Sequence, residues 1–154
     1  MTCARRQPGE FGLAAYCYHN EQGWPAAAHG AAVWTTAGQA VDAIDTPVSL
    51  AKPALKRLLA RGLHGPVIVV PEHPERWVFI TRPALPPVAA TQTLLAMNDV
   101  RCLMFKDRIE LPPTKVPEGE LTWLQPPGEG SQPLPFDAVA ITILAVPRPA
   151  DGEA

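Results

Sequence analysis

Charge is scarce in this chain. Asp, Glu, Lys and Arg make up 18% of its 154 residues, where about a quarter is usual. With 47% hydrophobic residues, that excludes disorder over most of the length, because disorder needs low hydrophobicity and high charge. Long apolar runs are missing too. None approaches the ~20 residues of a membrane-spanning helix, so no transmembrane segment and no membrane partner are predicted. The first ten residues (MTCARRQPGE) carry two arginines with no apolar stretch behind them, which predicts no signal peptide. There are three cysteines, Cys3, Cys17 and Cys102, and no CxxC pair. Reduced thiols in a cytoplasmic protein are expected, with no disulfide and no structural metal. A Walker loop, a dinucleotide glycine fingerprint, HExxH and GxSxG are all absent. The four histidines stand too far apart, and without paired cysteines, to predict a zinc site.

What the chain has in excess is proline, 19 residues, beside 11 glycines. Elements must therefore be short and often interrupted. A length of 154 residues predicts one domain, placed here at residues 10–146, with a flexible arm over 1–9 and a disordered tail over 147–154. The net charge is −2, unevenly spread. Residues 52–115 hold ten Lys or Arg against five Asp or Glu, and both flanks are acidic. A basic middle in an acidic chain points to a local surface for an anion, such as a nucleotide or a nucleic-acid backbone. The plainer alternative is a set of solvated helix faces.

Periodicity supplies the elements. Phe11, Ala14, Ala15 and Tyr18 recur at helical spacing, predicting a helix over Glu10–Gln22 that Gly23 ends and Pro25 cannot continue. Residues 25–30 (PAAAHG) read as a connector. Strands are expected over 31–36 and 40–45 around an Ala37-Gly38-Gln39 turn. A helix capped by Ser49 is expected through Arg61, with Leu50, Ala54, Leu55, Leu58 and Leu59 on its apolar face. The run Val67–Val70 predicts a strand buried on both faces, hairpinned to 77–81. Val67, Val69, Trp77 and Phe79 are core candidates on these two central strands. A helix over 88–97, a long or bent strand over 101–111, a strand over 120–125, a loop over 126–135 and a helix over 136–145, where the β-branched Val139, Ile141 and Ile143 leave a strand as the alternative, complete the order. Paired strands separated by single helices predict an α/β (α+β) fold with a mixed, largely antiparallel sheet and flanking helices.

Three segments are chemically suggestive. In VWTTAGQAVDAID (33–45), Asp42 and Asp45 follow a small-residue turn; carboxylates there are a means of holding Mg²⁺ or Mn²⁺ against a triphosphate. Their i, i+3 spacing puts them on opposite faces of a regular strand. In PEHPERWVFITRP (71–83), Arg76 and Arg82 bracket a strand whose Trp77 and Phe79 share one side. An arginine beside an aromatic grips phosphate or stacks on a base; the alternative makes both arginines surface residues, so that losing Arg76 would barely change stability. In IELPPTKVPEGELTWL (109–124), Pro112-Pro113-Thr114 joins two strands and exposes Lys115.

In order, these segments resemble the N-terminal prim-pol domain of bifunctional DNA primase/polymerases, a branch of the archaeo-eukaryotic primase superfamily. The shared features are the opening helix with Gln22-Gly23-Trp24-Pro25, the turn into an acidic strand, the Gly65-Pro66-Val67 and Glu75–Phe79 strands, Pro112-Pro113-Thr114, and Leu121-Thr122-Trp123. The resemblance covers residues 11–145 and implies a prim-pol-like fold. It also implies a D-x-D metal pair, which here is the D-x-x-D of Asp42 and Asp45. Arg76 stands where a phosphate-binding histidine is implied, His73 lying three residues early. A third carboxylate is implied near Asp99 or Asp107. The expectation is a catalytically degenerate domain that binds a nucleotide or single-stranded nucleic acid through Arg76, Arg82 and Lys115. The alternatives are an active metal-dependent nucleotidyltransferase using Asp42 and Asp45, and a protein-interaction module without a nucleotide ligand.

Overall fold

Alternate side chains of a strand point to opposite faces, and in the middle of this chain both faces are apolar. That pattern builds three layers. The computed structural model describes residues 9–85 and 88–147; the expected arm and tail lie outside them except for Gly9 and Pro147. In chain order the elements are α1 (Glu10–Cys17), continued by a π-helical turn (Tyr18–Gln22), then β1 (Ala26–His29), β2 (Ala32–Thr36), β3 (Asp42–Pro47) and α2 (Val48–Ala60). There follow β4 (Val67–Val70), β5 (Arg76–Thr81), α3 (Ala89–Ala96), β6 (Arg101–Leu103) and β7 (Arg108–Glu110). The last are β8 (Lys115–Val116), β9 (Gly119–Glu120), β10 (Thr122–Gln125) and α4 (Phe136–Leu144).

The large sheet has the order β10-β4-β5-β3-β6, with every neighbouring pair antiparallel. A second antiparallel sheet is β1-β2-β7, and β8 and β9 form a small hairpin. The fold is α+β with largely antiparallel sheets, as the sequence predicts. One core lies between the large sheet and the helices: Ile44, Val67, Trp77 and Phe79 meet Leu50, Ala54 and Leu58 of α2, Leu95 of α3, and Phe136, Val139 and Ile143 of α4. The other lies between the two sheets: Ala43, Ile68, Val78 and Ile80 meet Val33 and Ile109, with Ala15 of α1 and Trp24 alongside. Every residue of β5 is buried. The predicted hairpin of 67–70 with 77–81 is present, and β5 is the sheet's central strand. Val69 is only partly buried.

Several expectations need correction. Residues 25–30 are not a connector, since 26–29 form β1; three alanines carry little strand propensity, and the pairing with β2 supplies the order. The strands on either side of the Ala37–Gln39 turn do not pair with each other but belong to different sheets. The long strand over 101–111 is two strands, again in different sheets, broken where Phe105 and Lys106 adopt positive φ (51° and 78°). Ser49 is not a cap: α2 starts at Val48, with Pro47 in the cap position and no side-chain cap bond. Cys17 is disulfide-bonded, against the expectation of reduced thiols, while Cys102 is free.

Candidate functional site

β3 carries both acids of the D-x-x-D, and the strand separates them. Asp42 shares the helix-side face with Ile44, while Asp45 shares the opposite face with Ala43. Three residues of strand also set them about 10 Å apart along it. Each then finds different company.

Asp45 meets Arg76, which lies diagonally across the β3–β5 ladder. Arg76 is 4% exposed. Its Nε donates to Asp45 Oδ1 at 2.7 Å and its Nη2 to the Asp45 carbonyl at 3.1 Å. Its Nη1 donates to Asp99 Oδ2 at 3.0 Å and Nη2 also to the Asp99 carbonyl at 2.8 Å. Burial opposes the guanidinium charge, but Asp45 and Asp99 more than offset it. Arg101 adds a 3.5 Å contact to the other Asp45 oxygen from the exposed edge strand. The expectation that Arg76 is a surface residue is therefore corrected: four donor bonds hold it inside the protein, and none is turned to solvent for a phosphate.

Asp42 is 3% exposed at the start of β3. The Ala84 N–H donates to its Oδ2 at 2.7 Å, and its Oδ1 is buried without a partner among the described residues. Burial raises its pKa above the ordinary aspartate range, and the Asp107 charge adds to the rise. The Cys102 thiol is pushed up to about 11, by burial first and the Asp42 charge second. Asp42 binds its proton at higher pH in the fold than in the unfolded chain. Stability from this group is thus full below the ordinary aspartate pKa and declines as pH rises through the raised value. Asp42→Asn keeps an acceptor for Ala84 and removes the buried charge. Thermal melts over a pH series are expected to show the variant at or above wild type at neutral pH, with the decline that sets in above the ordinary aspartate pKa flattened. A melting point several degrees below wild type at every pH would refute a destabilising buried charge at Asp42.

The remaining predicted residues are dispersed. Arg82 is exposed just beyond β5, about 20 Å along the strand from Arg76; it borders a groove of about 470 Å³ shared with Pro83, Leu85, Pro135, Phe136 and Asp137. Lys115 is exposed on β8, with its ammonium 5.7 Å from the Phe11 ring centre. His73 is exposed in the β4–β5 turn. Asp99 joins Asp45 on Arg76, and Asp107 sits near Asp42, accepting from the Met104 N–H at 3.0 Å. The four acids therefore divide between two places. No group of three or more His, Cys, Asp or Glu side chains suited to a metal ion exists among the described residues. Mg²⁺ or Mn²⁺ held jointly by Asp42 and Asp45 does not fit this arrangement.

What does converge is the framework of the sequence motifs. Tyr18 stacks on Trp24, with ring centres 5.7 Å apart, and meets the edge of Trp123 at 6.2 Å. The Tyr18 hydroxyl donates to the Pro112 carbonyl at 2.7 Å and accepts from Trp123 Nε1 at 3.0 Å. Burial pushes the Tyr18 pKa well above its usual value. Thr114, 2% exposed, closes on β2: its hydroxyl accepts from the Val33 N–H at 2.7 Å and donates to the Val33 carbonyl at 2.9 Å. Residues 18–25, 112–114 and 121–123 are distant in sequence and form one polar and aromatic clamp around the end of β2.

Sequence reasoning missed the tip between the sheets. Phe105 is 81% exposed, and two successive non-glycine residues in the left-handed region are uncommon. The turn is held by Lys106 N–H on the Ala37 carbonyl, Ala37 N–H on the Asp107 carbonyl, and Asp107 on Met104. Gly38, at φ 107°, lies under it; a Cβ there would reach within 3.5 Å of the Phe105 backbone. Just beyond, the Arg108 guanidinium lies 3.6 Å over the Trp34 ring, on the outer face of the small sheet. The signal in sequence was the Lys106-Asp107 pair amid an apolar strand pattern.

No family model, no curated protein and no solved structure matches this chain.

Proposed function

We propose that the chain is a stand-alone prim-pol-like domain without polymerase chemistry, which binds a nucleotide or single-stranded nucleic acid. The observation that carries the proposal is the divergence of Asp42 and Asp45 across β3 within a retained framework. Two-metal phosphoryl transfer requires carboxylates that place the ions about 3.5–4 Å apart. Here one carboxylate is buried beneath the helices and the other is bound to Arg76. The motifs that gave the resemblance, by contrast, meet in the clamp of Tyr18, Trp24, Thr114 and Trp123. A nucleotide would meet Arg82 or Lys115, which lie on separate elements, and not Arg76, and its binding would depend little on Mg²⁺ or Mn²⁺. The reading puts the protein in the cytoplasm with nucleic acid; the Cys17 disulfide argues the other way. No helix among the described residues is long and apolar enough to cross a membrane.

Primer synthesis and extension on single-stranded DNA, with labelled nucleotides and either metal, is expected to give no product. Metal-dependent product from the wild type that vanishes in the Asp42→Ala, Asp45→Ala variant overturns the proposal in favour of an active nucleotidyltransferase.

One observation favours the interaction-module reading. α3 has no charged residue, buries only Leu95 and exposes Leu94, with exposed Met97 at its C-cap, and it packs on α4, which exposes Ile141. Apolar side chains exposed on two adjoining helices suit a protein contact. Binding of oligonucleotides, measured as described next, separates the two.

A further inference from the structure

Three exposed cations and two flat surfaces gather at one end of the molecule. β3 starts there, β5 ends there, and β6 runs out into the Phe105–Lys106 turn, because Asp42 pairs with Thr81 and Ala43 with Leu103. Arg82 follows Thr81, Lys106 follows Phe105, and Arg108 opens β7; all three are exposed. Of the acids nearby, Asp42 is buried, Asp107 accepts from the backbone and Glu110 lies 3.7 Å from Arg108, while Asp137 shares the groove beside Arg82. Phe105 is 81% exposed, on a turn fixed by three hydrogen bonds. The Arg108 guanidinium, stacked on Trp34, offers a second plane already in place.

We propose that the Phe105–Lys106 turn and the Arg108–Trp34 stack form a landing surface for single-stranded nucleic acid, with bases on the Phe105 ring and the Arg108 plane and phosphates on Lys106 and Arg82. Unpaired bases stack on aromatic rings and guanidinium planes, and cations track the backbone between them. A duplex, whose bases are already stacked, gains nothing from such a surface. The assignment rests on the binding half of the function proposed above and adds the location of the ligand and the choice of a nucleic-acid strand over a free nucleotide.

The test is fluorescence anisotropy of labelled single-stranded DNA and RNA oligonucleotides, and of the matching DNA duplex, titrated with the full chain at several salt concentrations. Single strands are expected to bind more tightly than the duplex. Phe105→Ala is expected to weaken single-strand binding roughly tenfold, the scale of one lost stacking contact, with an unchanged melting temperature because the ring is exposed. Lys106→Ala is expected to lower the slope of log affinity against log salt by about 0.7, as for one released counterion on a single strand. Wild-type binding that both variants leave intact overturns this surface while sparing the function proposed above. An absence of binding to single strands even at low salt overturns both, and the exposed ring then belongs to a protein contact.

Discussion

Arg76→Leu lowers the stability of the domain by about 3–5 kcal/mol, the range for removing one partner of a buried ion pair. The leucine fills much of the same space, so the loss is electrostatic. Asp45 keeps its place in the interior of the large sheet, with its side chain 14% exposed, and loses two of the donors that hold it. Arg101 remains 3.5 Å away but is more than half exposed and weakly coupled. Asp99 loses both its carboxylate bond and the bond to its carbonyl, in a residue held at φ 62°. For a chain of this size the melting temperature is expected to fall by about 10 °C. Replacing Arg76 and Asp45 together by leucine is expected to recover a large part of the loss, since no unpaired charge remains, and urea unfolding of the two single variants and the double variant measures that coupling. An Arg76→Leu variant that unfolds with the wild type would show that the guanidinium carries no structural role and would restore it as a candidate ligand group.

Thr114→Val is expected to destabilise the protein by about 1–3 kcal/mol, by leaving the buried Val33 N–H without a partner, while the Val33 carbonyl keeps the Leu111 N–H. The shape is conserved, so packing changes little. What is lost is a hydroxyl that both accepts from and donates to one residue 81 positions away. Thr114→Ser keeps that hydroxyl and is expected to retain most of the stability. Chemical denaturation of the three proteins decides the point: equal midpoints for valine and wild type would remove Thr114 from the clamp. Because β2 leads through the Ala37–Gln39 turn into β3, slackening at Val33 is also expected to speed amide exchange at the end of β2.

Much of the fold was legible because its strands and helices carry their own patterns. Val67–Val70 and Trp77–Thr81 are apolar on both sides, and α2 repeats leucine at helical spacing. The divergence of Asp42 and Asp45 followed from strand periodicity alone. The fate of Arg76 did not, because it depends on the β3–β5 register, which brings residue 45 beside residue 76 and is not written in either segment. β1 escaped notice because alanines at 26–28 look like a linker until β2 lies next to them. The break at Phe105 was hidden for another reason. Left-handed backbone is usually announced by glycine or asparagine, and here the nearest glycine, Gly38, lies under the turn from the β2–β3 connection, far away in sequence.

The two cores on either side of β5 are chemically unlike. The helix side receives the rings of Trp77 and Phe79, and the other side receives Val78 and Ile80. Sliding this strand by a single residue would exchange them, forcing indole and phenyl groups into the narrow space between two sheets and turning Arg76 toward the apolar helices. Misalignment is thereby penalised twice, once on each side. A central strand apolar on both faces, which by composition alone looks free to slip, is confined to one alignment by the different sizes of its neighbours.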